Sequence, residues 1–447
     1  MKELTYRFRR GIHPPAKKEQ TADKAVIKIT PATGMHMVFP MLQHIGAECE
    51  FIVSQGERVL LGQKIGDSQT LFSSPVHSSI SGKVVEICDK LVVNGTASSA
   101  VIIENDGKDE GIQKRRLFVP EIPNRNETLK LIHQAGVVGL GGAGFPTHVK
   151  LNPQRDLIDT FIVNAAECEP YLTRDYRSLL EEGERLLSGI RIILSLLPEA
   201  NCIIAIETDK HNAIPGLKNL ISGDPRIRIA KMKPSYPQGA EKVLIYTITG
   251  REVPSGGLPA DVGCIVNNVD TVIAIEEAVF RRSPLMRRII TLNGGAIKRP
   301  GNYEVRLGMT YQDFVEAAGG FSTPPKKIIS GGPMMGRAMF SLDEPIIKTS
   351  SGLICFTEDE IEVPKERNCI RCGRCVDFCP EHLQPLNLNA FIINGKIDLF
   401  LEQRGIDCME CGTCSYVCPS KRHLAQSISF VRHEEFAKRK KQETQRG

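Results

Sequence analysis

Eight of the fourteen cysteines fall into two short runs of identical spacing. The runs read CIRCGRCVDFCP and CMECGTCSYVCP, and both follow the pattern C-x-x-C-x-x-C-x-x-x-C-P. A zinc site pairs two C-x-x-C knuckles and does not need three thiolates in a row. A cubane iron–sulfur cluster does, because three closely spaced thiolates bind three iron corners while the fourth ligand comes from elsewhere. The runs therefore predict two [4Fe–4S] clusters.

We expect each cluster to combine three cysteines of one run with the last cysteine of the other, as in two-cluster ferredoxins. The first predicted set is Cys369, Cys372, Cys375 and Cys418. The second predicted set is Cys408, Cys411, Cys414 and Cys379. The remaining cysteines stand singly and are expected to behave as small buried hydrophobic residues: Cys49, Cys88, Cys168, Cys202, Cys264 and Cys355.

The second candidate site is the glycine-rich stretch GVVGLGGAGFPTHVK, in which Gly139, Gly141 and Gly144 spell G-x-G-x-x-G. A dinucleotide fingerprint needs a strand before these glycines and a helix directly after them. Here a predicted helix precedes the loop and Phe-Pro follows it, so the ordinary dinucleotide interpretation fails. The free N–H groups of such a loop can form a nest for an anion. Lys150 can add a point charge for a phosphate.

Polar residues follow two apolar runs that read as strands. The first run ends in NAAECEP, with Asn164, Glu167 and Glu169, and the second ends in NNVDT, with Asn267 and Asn268. Strand ends in open α/β sheets face the ligand crevice, so we expect these side chains near the glycine loop. A pair of asparagines is also common in turns, and that alternative remains open for the second run.

The pattern of elements changes along the chain and indicates several domains. Near the N-terminus, VSQGERVLLGQKIGDSQ and SSPVHSSISGKVVEI resemble a lipoyl or biotinyl carrier hammerhead, but the hairpin between them lacks the carrier lysine. From about residue 115, strands alternate with helices, which favours a mostly parallel sheet. Asn126 is a plausible N-cap for the first of these helices. RRIITLNGGAIKRPGNYEVRLGMTYQDFVEAAGG then resembles a β-grasp module of the SLBB type.

The predicted fold is therefore a multidomain combination of α/β and α+β units. The hammerhead, or barrel-sandwich hybrid, is expected over residues 1–112. A Rossmann-like α/β domain that carries the glycine loop is expected over 113–283 and an SLBB β-grasp module over 284–345. A two-cluster domain of the bacterial ferredoxin type is expected over 346–430, followed by a basic tail over 431–447.

Composition and charge exclude several classes of protein. The net charge is +5 and aromatic residues make up 6% of the chain, without any Trp, whereas a nucleic-acid binder typically has a strong basic stripe with stacking aromatics. No window approaches 18 consecutive apolar residues, so we expect no transmembrane helix. The N-terminal MKELTYRFRR lacks the apolar segment of a signal peptide. We therefore expect a cytosolic chain whose cysteines serve metal and redox chemistry.

Three motifs, GLGGAGFPTHVKL, NAAECEP and VNNVDT, resemble the FMN- and NADH-binding subunit of respiratory complex I. That family reads G-R-G-G-A-G-F-P-T-G-x-K, N-A-D-E-G-E-P and V-N-N-V-E-T. The resemblance implies that the loop holds the FMN phosphate and flanks the flavin through Gly139, Gly141, Gly142, Gly144 and Lys150. It also implies flavin contacts from Asn164, Glu167, Asn267 and Asn268, with Glu169 near the nicotinamide.

The chain departs from that pattern at Leu140, Ala166 and Cys168, where the complex I family has Arg, Asp and Gly. The flavin hydrogen bonds of that Arg and Asp must be absent or replaced. These departures motivate an alternative interpretation, in which the chain is a docking or relay adaptor with two clusters and no working flavin site.

The full order of segments resembles the RnfC family, the peripheral subunits of Rnf-type ferredoxin:NAD⁺ oxidoreductases: GIHPP, hammerhead, flavin fold, SLBB module and two-cluster ferredoxin. A related cobalamin reductase places its hammerhead and SLBB pieces after the ferredoxin segment, which disfavours a soluble reductase of a corrinoid-type acceptor. The resemblance implies electron transfer between NAD(H), FMN and two [4Fe–4S] clusters, with no side chain acting as an acid–base catalyst. It also implies a peripheral position on the cytoplasmic face of the inner membrane, membrane-embedded and ferredoxin-like partners, and ion translocation by those partners.

Overall fold

The computed structural model describes residues 5–93, 95–112, 118–153, 158–361 and 365–446, with side chains up to residue 439. The predicted domain start at residue 113 and the last residue of the predicted tail lie outside these ranges. Within the described residues the chain forms four sheets, of five, six, four and three strands. No helix among these residues is long and apolar enough to cross a membrane.

Short strands dominate the first 105 residues. They are β1 Thr5–Tyr6, β2 Ile27–Lys28, β3 His36–Pro40, β4 Glu50–Phe51, β5 Arg58–Val59, β6 Lys64–Asp67, β7 Val76–His77, β8 Gly82–Leu91 and β9 Ala97–Asn105. Strands β3, β9, β8 and β5 form one antiparallel sheet, and β4, β6 and β7 form another. Met37, Phe39, Ile65 and Val84 are fully buried between them. This is the predicted hammerhead.

The first two strands leave the hammerhead and pair with later parts of the chain. Strand β1 lies parallel to residues 231–232, and β2 lies parallel to residues 303–304. Two-residue strands carry no alternating pattern from which their partners could be predicted. The N-terminal 30 residues therefore tie the domains to one another.

The middle domain alternates helices and strands, as predicted. Its elements are α1 Arg125–Gln134, α2 Thr147–Lys150, β10 Thr160–Ala165, α3 Arg174–Glu181, α4 Gly183–Leu196, β11 Asn201–Glu207, α5 Ala213–Ile221, β12 Ile227–Met232, α6 Glu241–Thr249, a 3₁₀ turn Pro259–Val262, β13 Cys264–Asn268 and α7 Val269–Phe280. The sheet order is β1-β12-β11-β10-β13, and every neighbouring pair is parallel. Six of the seven residues of β11 are buried, as expected for a parallel strand that is covered on both faces.

Two details of the helices differ from the sequence prediction. Helix α1 is capped by Asn124, whose side chain accepts a hydrogen bond of 3.1 Å from the Glu127 N–H. Asn126, the predicted cap, lies inside the helix, so that prediction was wrong by two residues. Asn124 and Glu127 have the spacing of a capping box, which identifies the correct start. The segment DYRSLLEEGERLLSGIRIILSLL, which reads as one helix from its sequence, is divided into α3 and α4 at Glu182.

The third domain is a six-stranded sheet with one helix. Its elements are β14 Arg287–Asn293, β15 Gly301–Arg306, α8 Tyr311–Ala317, β16 Lys327–Ser330, β17 Arg337–Met339, β18 Gly352–Phe356 and a 3₁₀ turn Glu358–Glu360. The order is β17-β16-β18-β14-β15-β2. Strand β18 lies beyond residue 345, the predicted end of the SLBB module, and pairs with β14 and β16.

The C-terminal segment is helical and repeats itself. Its elements are α9 Arg374–Asp377, α10 Pro385–Ile393, α11 Ile397–Glu402, a 3₁₀ turn Gly405–Asp407, α12 Thr413–Tyr416 and α13 Leu424–Arg446. Helices α9 and α12 each follow a glycine with positive φ, Gly373 at 77° and Gly412 at 74°, so the two cysteine runs share one backbone course. Helix α13 continues through most of the segment predicted as a basic tail.

Candidate cofactor site

A cavity of about 1770 Å³ opens at the carboxyl ends of β10 and β13. The hammerhead, the parallel sheet and the SLBB module all contribute to its walls. Each of the ten residues predicted to bind a flavin or nucleotide lines it: Gly139, Gly141, Gly142, Gly144, Lys150, Asn164, Glu167, Glu169, Asn267 and Asn268. A single small-molecule pocket usually measures about 300–1,000 Å³, so this cavity has room for more than one ligand.

The glycine loop is held tightly at one position and is open at the next. A Cβ on Gly141 would lie 2.7 Å from Asn268 Cβ, whereas a Cβ on Gly142 would meet nothing within 4 Å. Gly144 has φ of +77°, and a Cβ there would lie 2.8 Å from Thr349 Cγ2. The loop thus packs against β13 and the SLBB module while Gly142 faces open space.

Two buried arginines hold the backbone of the glycine loop, and neither was predicted from the sequence. Arg288 and Arg174 donate hydrogen bonds of 3.0 and 3.3 Å to the carbonyl oxygen of Leu140. Both side chains are almost fully buried, and Arg174 also lines the cavity. Both guanidinium groups also lie beside Asp270 Oδ2, at 3.5 Å from Arg174 and 3.2 Å from Arg288, so they fix the backbone at Leu140 within a buried ion-pair cluster.

Among the described residues, six that line the cavity each have a buried polar atom without a hydrogen-bond partner: His44 Nδ1, His133 Nε2, His148 Nδ1, Arg174 Nη1, Asp175 Oδ1 and Asn267 Nδ2. Within the buried cluster, Arg174 Nη1 lies 3.5 Å from Asp270 Oδ2 and Arg174 Nε lies 3.3 Å from Asp175 Oδ1. Buried polar groups are normally hydrogen-bonded. Arg174 and Asp175 are thus covered by ion pairs, whereas the amide nitrogen of Asn267 and the open side of Gly142 fit a polar ring system such as a flavin.

The asparagines at the strand ends have different surroundings. Asn164 donates to Gly239 O at 2.8 Å and accepts from Ala166 N at 3.1 Å. Asn268 caps α7 by accepting from Asp270 N at 3.0 Å, and it donates to Asp175 Oδ2 at 2.6 Å. Asn268 therefore has the structural role in a turn that the sequence allowed for the asparagine pair. The amide nitrogen of Asn267, in contrast, has no hydrogen-bond partner.

The two acidic residues of NAAECEP are buried and bound by backbone N–H groups. Glu167 accepts from Asp175 N at 2.9 Å, and Glu169 accepts from Met335 N at 2.9 Å and Met334 N at 3.1 Å. Burial raises the pKa of each carboxyl to about 7. Glu169 thus fastens an SLBB loop to the cavity wall.

Lys150 lies in α2, directly after the glycine loop. Its Nζ is 2.5 Å from Glu241 Oε1 at the start of α6, and three quarters of its side chain is covered. The ammonium is therefore fixed at the cavity rim by one carboxylate, and it keeps donors for a second anion.

The cysteines of the two runs form two mixed groups. Burial raises the pKa of Cys375, and the nearby thiols of Cys418, Cys369 and Cys372 raise it further. Burial likewise raises the pKa of Cys414, with additional contributions from Cys408, Cys411 and Cys379. In each case the contributing thiols are two from the same run and the last thiol of the other run. Among the described residues, no three His, Cys, Asp or Glu side chains converge closely enough to hold a single metal ion.

The groups differ in exposure, since Cys369 and Cys372 are exposed whereas Cys411 and Cys414 are buried. Of the single cysteines, Cys49, Cys202, Cys264 and Cys355 are buried as predicted. Cys88 and Cys168 are only partly buried, contrary to the prediction. Cys168 lies in the cavity wall, in the loop after β10.

Fold and site together define an iron–sulfur flavoprotein, and four family models match its parts. They are the RnfC barrel sandwich hybrid domain over residues 6–108, the Nuo51 FMN-binding domain over 132–277, the SLBB domain over 289–338 and the 4Fe-4S dicluster domain over 368–422. These matches confirm the predicted fold class and the expectation of FMN and two [4Fe–4S] clusters.

Relatives that match over nearly the full length of the chain give the family. The chain is 45% identical to a subunit of the proton-translocating ferredoxin:NAD(+) oxidoreductase complex of Clostridium ljungdahlii, over 96% of this chain and 93% of the relative. It is 42% identical to the corresponding subunit of the Na(+)-translocating complex of Acetobacterium woodii, over 97% and 98%. It is 37% identical to a subunit of an ion-translocating oxidoreductase complex of Cronobacter sakazakii, over 89% of this chain and 51% of that longer relative. The chain belongs to the RnfC family.

Proposed function

We propose that this chain is the subunit of a ferredoxin:NAD⁺ oxidoreductase complex that passes electrons between NAD(H), FMN and two [4Fe–4S] clusters. The observation that carries the proposal is a single cavity, lined by all ten predicted flavin and nucleotide residues, beside a segment with two mixed groups of four cysteines. Bound FMN exchanges a hydride with nicotinamide and single electrons with a cluster. The relatives, which are named as subunits of such complexes, support the same assignment.

The glycine loop and Lys150 are proposed to bind the FMN phosphate. The open side of Gly142 lets a ligand approach the backbone without meeting a Cβ, and backbone N–H groups of such loops bind anions. Gly139, Gly141 and Gly144 shape the loop around that position. The amide nitrogen of Asn267, which has no hydrogen-bond partner in the structure, is proposed to donate to the flavin ring.

Glu167 and Glu169 are proposed to shape the site rather than to transfer protons. The oxygens of both carboxylates already accept hydrogen bonds from backbone N–H groups, and no other side chain is assigned acid–base catalysis. Asn164 and Asn268 position the ends of β10 and β13 beside the flavin. The size of the cavity leaves space for the nicotinamide next to it.

The crossed cluster assignment remains our proposal for the ferredoxin-type segment. One cluster is assigned to Cys369, Cys372, Cys375 and Cys418, and the other to Cys408, Cys411, Cys414 and Cys379. We propose the domain bounds 1–112, 113–283, 284–345 and 346–430 as functional units, with 431–447 as a basic extension, except that the SLBB unit continues through Phe356 because β18 belongs to its sheet.

The relatives' names indicate a complex of several subunits. We propose that the partners are membrane-embedded and ferredoxin-like subunits, that they carry out ion translocation, and that this chain lies at the cytoplasmic face of the inner membrane.

The experiment that tests the flavin site compares FMN with riboflavin, which lacks the phosphate. We expect Lys150→Met to weaken FMN binding at least tenfold while riboflavin binding stays unchanged, measured by flavin fluorescence titration. The control Lys130→Met removes an exposed lysine at the same cavity and should change neither affinity. Equal losses for both flavins would remove the phosphate assignment, and no flavin binding by the wild type would leave the two-cluster adaptor.

A further inference from the structure

Tyr236 is shared by the cavity and the cysteine runs. Its side chain lines the cavity and is 1% exposed. Its hydroxyl donates a hydrogen bond of 2.6 Å to the backbone carbonyl of Cys411. One buried side chain thus reaches from the wall of the proposed flavin site to a proposed cluster ligand.

The N-terminal segment fixes Tyr236 in this position. Ile12 and Tyr236 exchange two backbone hydrogen bonds, of 2.8 and 2.9 Å. A Cβ on Gly11 would lie 1.7 Å from Ser235 Oγ, so only glycine permits the close approach. The GIHPP motif, which had no assigned role, therefore holds the backbone at Ser235 and Tyr236.

Apolar side chains fill the space around the hydrogen bond. Ile12, Tyr236 and Cys411 form one buried cluster, against which Cys168, Met334, Phe378, Met409 and Val417 pack. The SLBB loop closes this junction, because Met334 N donates to Glu169 and a Cβ on Gly412 would lie 2.9 Å from Met334 O. The Cys411 loop is thus the part of the cysteine runs that meets the cavity wall.

We propose that Tyr236 is a positioning residue that fixes the Cys411 loop against the cavity wall and raises the reduction potential of the cluster bound by Cys408, Cys411, Cys414 and Cys379. The inference rests on the proposed function, since it requires that these cysteines bind a cluster. The carbonyl oxygen of Cys411 carries a partial negative charge beside the proposed cluster, and the hydroxyl hydrogen of Tyr236 partly neutralises that charge. Hydrogen bonding around the ligands is one of the factors that set cluster potentials, and a donor there favours the more negative, reduced state.

The test is a redox titration of the full chain, reconstituted with iron and sulfide and followed by electron paramagnetic resonance without NADH or flavin. In Tyr236→Phe we expect the reduced-to-oxidised ratio of one cluster at a fixed potential to fall about fivefold, the factor of roughly one hydrogen bond, while the other cluster is unchanged. Tyr246→Phe, which removes the hydroxyl of a half-exposed tyrosine on α6, should change neither cluster. Replacing Tyr236 by 3-fluorotyrosine, a stronger donor, should raise the ratio for the same cluster.

A Cys369→Ala background, which removes the other cluster, identifies the one that responds. The shift must persist in that background. Any of three results would overturn the proposal. They are loss of the shift in the Cys369→Ala background, equal shifts in both clusters, and an unchanged ratio in both Tyr236→Phe and the fluorotyrosine protein. If Tyr236→Phe fails to assemble clusters, the fluorotyrosine protein alone decides. Because NADH and flavin take no part, a failure of the flavin assignment leaves this result unaffected.

Discussion

Replacement of Gly141 by alanine tests how the glycine loop is built. The new Cβ would lie 2.7 Å from Asn268 Cβ, about 1 Å inside the usual carbon–carbon contact distance. Asn268 must therefore retreat, which strains its cap on α7 and its hydrogen bond to Asp175. A lost cap costs about 1 kcal/mol, and a weakened hydrogen bond to a carboxylate adds about 1 kcal/mol or more.

The expected total of about 2 kcal/mol corresponds to roughly 30-fold faster opening of the first turn of α7. Hydrogen–deuterium exchange of the amides of residues 269–272 measures this opening in the flavin-free protein. Gly142→Ala is the matched control, because its Cβ meets nothing within 4 Å, and it should leave α7 exchange unchanged. Its Cβ projects into open space, however, and should weaken FMN binding if the flavin approaches the loop there.

The two variants therefore separate packing from ligand approach. Gly141→Ala should affect both α7 exchange and FMN affinity, whereas Gly142→Ala should affect FMN affinity alone. Equal acceleration of α7 exchange in both variants, or none in Gly141→Ala, would refute the packing argument.

Three further predictions concern the cysteine runs, the domain junction and the first helix. The iron content of alanine variants tests the crossed assignment: Cys369 and Cys418 replaced together should lose about half of the iron, no more than either single variant. Cys369 and Cys379 replaced together should lose nearly all of it. Equal iron in the two double variants would exclude the crossed assignment. Lys348 lies at the junction of the hammerhead and the glycine loop, where its Nζ donates to Pro75 O at 2.7 Å and to Gly136 O at 2.9 Å. Burial lowers its pKa to about 7, so the unfolded chain binds the extra proton between about pH 7 and 10.5, and this group's contribution to stability rises with pH across that window. The Tm of Lys348→Met should not rise in this way between about pH 7 and 10.5. A difference in Tm between the variant and the wild type that stays constant over this range would contradict the prediction. Asn124→Ala should lower local stability at the start of α1 by about 1 kcal/mol, seen as faster amide exchange there than in Asn126→Ala.

Much of the cofactor site follows from local sequence signals. The ten cavity residues lie in three short motifs, each at the end of an element whose apolar pattern is clear, and parallel strands bring such ends to one edge of a sheet. The two cysteine runs predict cubane clusters from their spacing, and the crossed sets remain a prediction from the pattern of two-cluster ferredoxins. The capping of α1 was also within reach, since Asn124 and Glu127 have capping-box spacing.

What the sequence could not predict depends on tertiary contacts. Arg288 reaches Leu140 across 148 residues of sequence and Tyr236 reaches Cys411 across 175, and neither residue lies in a recognisable motif. The pairing of β1 and β2 with distant sheets likewise rests on two residues each. Such contacts are determined by how the domains pack, and no local periodicity encodes that packing.

The central claim is that one chain connects nicotinamide, flavin and both clusters. The most direct test is an anaerobic titration of the reconstituted full-length protein with NADH, in which flavin and cluster absorbance are followed together. We predict that the flavin is reduced first and that the clusters follow. A protein that holds both clusters and FMN yet shows no change in cluster absorbance with NADH would contradict the claim.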